Sequence, residues 1–120
     1  MRVQIVAVGR LRKGPELSLI EDYLTRFERT GRSLGLNSID VVEVEDKKGI
    51  GMSAEADLIR KAIPKGATVI AMDERGKIIP SPEFASKIAG WRDNGCQDLA
   101  FVIGGADGLS PDLRNQADYL

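Results

Sequence analysis

Three short stretches of this chain are apolar almost without interruption: Val3 to Val8, Ala67 to Met72 and Leu99 to Ile103. Successive side chains of a strand point to opposite faces, so a strand with one wet face alternates apolar and polar residues, whereas one covered on both faces does not. Between the runs lie segments of helical period. After Gly14-Pro15, the residues Leu17, Ile20, Leu24 and Phe27 recur at spacings of three, four and three, which makes one stripe on a helix expected to end near Gly31. A second helix is expected from Ser53 as N-cap through Ile63, closed by Pro64 and Gly66. Ser81-Pro82-Glu83 predicts a third, with a capping hydroxyl, proline at the first helical position and a carboxylate near the positive end of the dipole; Phe84, Ile88 and Trp91 mark its buried face. Ser110-Pro111-Asp112 repeats that chemistry for a fourth. Ile39, Val41, Val42 and Val44 alternate in part with Asp40, Glu43 and Glu45, so this strand reads as half-exposed and near a sheet edge.

Strands that alternate with helices, most of them without polar interruption, predict an α/β fold: three layers, α/β/α, around a mostly parallel sheet. The strands are expected near residues 2 to 8, 39 to 45, 67 to 72 and 98 to 103, with a core of Val6, Leu24, Val69, Ile70, Ile88, Trp91, Phe101 and Val102. Strand order does not follow from the pattern. A chain of 120 residues supports one core and is too short for two, so residues 1–120 form a single domain. No apolar run reaches the roughly 18 residues that span a bilayer, and Gly9-Arg10-Leu11-Arg12-Lys13 stands where a signal peptide would be cleaved.

The chain contains no histidine, which removes the commonest general base, the usual catalytic triads and most zinc sites. Its single cysteine, Cys96, cannot form an intramolecular disulfide, in keeping with a reducing cytoplasm. The formal charge of -1 speaks against a free-standing nucleic-acid binder, although it averages a gradient: 14 basic and 12 acidic residues up to Lys77, then 3 and 6. Such asymmetry reads first as solvated surface.

In open α/β sheets ligands bind outside the carboxyl ends of the strands. Three such ends carry distinctive loops: Gly9 to Gly14, Asp73 to Lys77 (with the acidic and basic pair Glu74-Arg75) and Gly104-Gly105-Ala106-Asp107-Gly108. The last lets main-chain groups line a pocket without intervening side chains. It is not a phosphate loop, since Gly108 is followed by Leu109 and Ser110 rather than a lysine and a hydroxyl, and its glycine spacing does not fit a dinucleotide fingerprint. Asp107 also disfavours an anion.

Ala7-Val8-Gly9, the run Val69 to Lys77, and Phe101-Val102-Ile103-Gly104-Gly105-Ala106-Asp107-Gly108-Leu109-Ser110 together resemble the ribosomal RNA large subunit methyltransferase H family of the SPOUT superfamily of knotted methyltransferases. The resemblance runs through the whole chain in order. It implies a homodimeric cytoplasmic enzyme that carries a methyl group from S-adenosylmethionine to N3 of a pseudouridine in large-subunit ribosomal RNA of the assembled ribosome, without metal or membrane. It also implies that Met72, where leucine is usual, borders the adenine and that the main chain of Gly104 contacts the cofactor. Methyl transfer from a sulfonium is an in-line displacement that needs alignment and desolvation, which a pocket of main-chain groups can supply. Arg10, Arg12 and Lys13 offer positive potential for RNA, or serve as ordinary surface charge.

Similar proteins continue past the position of Leu120 by a few tens of residues, which carry the knot-threading segment and a tail with tyrosine, histidine and arginine. Catalytic residues therefore cannot be carried over, and three expectations follow from the resemblance: an incomplete domain, an inactive 120-residue form with a shallow half-built cofactor pocket, and apolar surface left open around the last strand and the helix after Ser110. A non-catalytic α/β ligand-binding or assembly module is the alternative reading. Another kind of nucleotide-binding α/β domain is disfavoured by the missing phosphate motifs.

Overall fold

A computed structural model of the protein describes residues 1–9, 14–45, 52–73, 76–105 and 108–118. Four strands, β1 (Arg2–Val8), β2 (Ser38–Val44), β3 (Thr68–Met72) and β4 (Asp98–Ile103), form one sheet in the order β2-β1-β4-β3 with every pair parallel. Between and after them run α1 (Pro15–Gly31), α2 (Met52–Ala62), α3 (Ser81–Asp93) and α4 (Pro111–Gln116). Among the described residues no helix is long and apolar enough to cross a membrane.

The pleat sorts the apolar runs onto two faces. Val3, Ile70 and Leu99 point to one side, where Phe27 of α1 and Ile88 and Trp91 of α3 pack on them. Val6, Ala71 and Val102 point to the other, against Ala56 and Ile59 of α2 and Leu113 of α4. The three-layer expectation therefore holds. Of the expected core, Val6, Ile70 and Val102 are at most 3% exposed, and Val69, Phe101, Ile88 and Trp91 pack on the clusters from their margins. Leu24 differs. It is only partly buried, along a groove with Ile20 and Tyr23, because α1 leans on the sheet mainly through Phe27.

Helix boundaries follow the backbone bonds. Past Gly31 the chain tightens into a 3-10 turn, Arg32–Leu34, ended by Gly35 in the left-handed region, and the N–H of Leu36 returns to the carbonyl of Gly31 at 2.9 Å. Ser110 caps α4 as expected, its Oγ accepting from the N–H of Leu113 at 3.2 Å. Ser81 does not cap α3. The carbonyl of Pro80 already accepts from the N–H of Phe84, so Pro80 is the cap and Ser81 the first helical residue, with no side-chain capping bond. Ser53 likewise falls inside the first turn of α2, which begins at Met52.

The half-exposed β2 is an edge strand, with Asp40 and Glu43 exposed. The opposite edge is β3, although its sequence is apolar but for Thr68, because an apolar run reports covered faces and not paired edges. Asp118 covers part of that edge: its Oδ2 accepts from the N–H of Val69 at 2.8 Å and its own N–H donates to the Val69 carbonyl at 2.9 Å.

Candidate functional site

The carboxyl ends of β1 and β4 lie side by side, and the helices that follow them pack on opposite faces of the sheet. Neighbouring strands whose connections part in this way leave a crevice between their ends, the place where open α/β sheets bind ligands. Gly9 borders it, at φ 116° and with its N–H on the Val44 carbonyl at 2.9 Å. Arg10, Arg12 and Lys13 lie outside the described residues.

After β4 the chain folds back on itself. The N–H of Gly108 donates to the carbonyl of Gly105 at 2.9 Å, and Gly108 takes φ 79°, a conformation that favours glycine. Gly104 is required for a different reason: a Cβ there would lie 2.6 Å from the carbonyl carbon of Gly108 and 2.9 Å from the nitrogen of Leu109. The turn is anchored below by Leu109, 2% exposed, and Ser110, 7% exposed. These residues and Leu113 are buried, so the apolar surface expected to open around the helix after Ser110 is absent from that helix. The α2 and α4 layer covers it. Ala106 and Asp107 lie outside the described residues, and the electrostatic argument from Asp107 with them.

Met72 ends β3 opposite Ile103 of β4, which places Met72 and Gly104 at adjoining strand ends. Met72 and Ile103 are 50% and 43% exposed, unusual for large apolar side chains at the ends of otherwise buried strands. Met72 stands between two clefts. One, of about 250 Å³, runs along Asp73, Ile78, Ile79 and Phe84; Glu74 and Arg75 lie outside the described residues. The other, of about 310 Å³, is wholly apolar and lies between α1 and α3 over Phe101. Phe84 stands edge-on to Phe101 at 5.9 Å between centroids and walls both. Such surface suits a flat apolar ring, and the main-chain groups of the glycine turn supply hydrogen-bonding capacity next to it.

One carboxylate at this end has no signal in the linear pattern. Glu55, in the first turn of α2, lies against Gly105, which Val8 also borders: a Cβ on Gly105 would be 3.0 Å from Glu55 Oε2, 3.2 Å from Val8 Cγ1 and 3.3 Å from Glu55 Oε1. Its Oε2 is shut off from solvent and meets no hydrogen-bond donor among the described residues. In sequence it is one more acidic residue near a helix start. Among the described residues, no group of three or more histidine, cysteine, aspartate or glutamate side chains is placed to hold a metal ion.

Similarity to known proteins points the same way as this geometry. The chain is 68% identical over 119 residues to a ribosomal RNA large subunit methyltransferase H of Ruegeria sp. strain TM1040, covering 99% of this chain and 76% of the relative. The protein of that name from Ruegeria pomeroyi is 67% identical over the same shares, and that from Dinoroseobacter shibae 64% identical over 98% of this chain and 76% of its own length. A family model described as predicted SPOUT methyltransferase matches residues 1–120. With a match over its whole length and a parallel sheet whose glycine turn closes on itself at the ligand-binding end, the chain belongs to the SPOUT methyltransferase family.

Proposed function

We propose that this protein methylates ribosomal RNA of the large subunit, with S-adenosylmethionine as donor and N3 of a pseudouridine in the assembled ribosome as acceptor. The observation that carries the reading is the 68% identity, over 99% of the chain, to a relative named for that class of reaction. Met72 and Gly104 would hold the donor, Met72 through its exposed apolar side chain against the adenine and Gly104 through its main chain. Their adjoining positions at the ends of β3 and β4 support this pairing. The bound donor supplies an electrophilic methyl group on a sulfonium. The chain's own contribution is to bind the adenine on an apolar wall, to present main-chain groups from a turn that cannot relax, and to hold the reactants in line. A cytoplasmic homodimer belongs to the same reading.

The test is transfer of labelled methyl from S-adenosylmethionine to ribosomes lacking the modification, with nucleoside mass spectrometry of the product. The expected result is one methyl group per large subunit on a pseudouridine. Absence of transfer by the full-length protein, or methylation confined to other nucleosides, overturns the reading.

A further inference from the structure

We propose that Glu55 is a catalytic residue of this methyl transfer: its carboxylate accepts the proton of the nitrogen that is to be methylated. The inference rests on the proposed function and extends it to a side chain of α2. It starts from position. Glu55 lies against Gly105 just past the end of β4, and Val8 at the end of β1 borders the same glycine, so Glu55 lies at the crevice where the two chain directions part. An unused acceptor is the second observation, since Oε2 meets no donor among the described residues. An ionised oxygen left so is costly unless something arrives to meet it. The other buried side-chain oxygen without a partner among the described residues is Gln4 Oε1, which is neutral and sits in mid-strand, away from the strand ends. Finally, Gly105 lets the carboxylate close on the main chain of the turn, since any larger residue would set its Cβ against both oxygens.

The chemistry of the acceptor calls for such a group. An imide nitrogen is largely protonated at neutral pH, and its neutral form is a poor nucleophile. In the step proposed, the N–H bond breaks and an O–H bond forms on Glu55. The pair left on nitrogen makes the new bond to the methyl carbon, while the pair of the broken carbon–sulfur bond stays on the donor's sulfur. The proton passes to water as the product leaves. A carboxylate is able to take that proton. A carboxylate in the first turn of a helix also complements the helix dipole, and a purely structural use of that kind would show in stability and in donor binding rather than in turnover.

The test uses the full-length protein with S-adenosylmethionine and unmodified ribosomes. Glu55→Gln keeps the size of the side chain and removes its capacity to take a proton. Its kcat is expected to fall by about a hundredfold or more, with KM for ribosomes, calorimetric Kd for the donor and Tm close to wild type. Glu55→Ala should show the same fall, and added formate, a small carboxylate able to enter the vacated space, should restore at least about tenfold of it. An E55Q variant whose kcat is within threefold of wild type overturns the proposal. So does a loss matched by weaker donor binding and not relieved by formate, which would make Glu55 a prop of the glycine turn. A wild-type protein that transfers no methyl group sinks the proposed function and this inference with it; an active wild type matched by E55Q sinks this inference alone.

Discussion

An alanine at position 104 would bring its Cβ to 2.6 Å from main-chain atoms of Gly108, and neither partner can swing away, because both belong to the closed turn. At position 105 the nearest atom is the far end of Glu55, a flexible side chain rather than main chain. The two substitutions should therefore differ. Gly104→Ala is expected to cost about 3 kcal/mol in urea unfolding and Gly105→Ala under about 1 kcal/mol. Equal costs would mean that the turn is held by something other than close backbone contact. Met72 carries a prediction of a different kind. Half exposed, it contributes little to the core, so Met72→Ala should leave the unfolding midpoint nearly unchanged while weakening S-adenosylmethionine binding by about tenfold, or 1.4 kcal/mol, in calorimetric titration. Met72→Leu, close in volume, should bind as wild type does. Both site residues stood out in the chain as parts of named motifs. Glu55 did not, because its meaning lies in what touches it, and the glycine it touches is 50 residues away in sequence.

At the scale of elements, helix starts were legible to within two residues, and cap identities only in part. Ser81 and Ser110 sit in the same Ser-Pro-acidic context, yet only Ser110 caps. The difference lies in which carbonyl takes the first helical bond: at α3 it is that of Pro80, accepting from the N–H of Phe84, which starts the helix one residue earlier. The edge of β3 depends on Asp118 in a way that exchange can measure. Asp118→Ala removes the acceptor of the Val69 N–H, and the amide of Val69 should exchange roughly tenfold faster while global stability falls by no more than about 1 kcal/mol. Unchanged exchange at Val69 would show that another group protects the edge.

Across the whole molecule, the sheet divides two cores that share no side chain, so each should respond to its own truncations. Leu99, 1% exposed beneath α1 and α3, is expected to cost about 2 to 5 kcal/mol when cut to alanine, whereas Leu19→Ala on the outer side of α1, 55% exposed, should stay within about 0.5 kcal/mol. Comparable losses at the two sites would contradict the layer assignment. The class of fold, the number of elements and their approximate bounds were open to a reader of the chain, because covered faces and helix starts are written in residues that are neighbours along it. Val3 to Val8 needs no distant partner to announce a strand covered on both sides. The order β2-β1-β4-β3 has no such local signature. It is settled by how surfaces from distant segments match, and with it come the adjoining of Met72 and Gly104, the edge position of β3, and the carboxylate of Glu55 lying against Gly105.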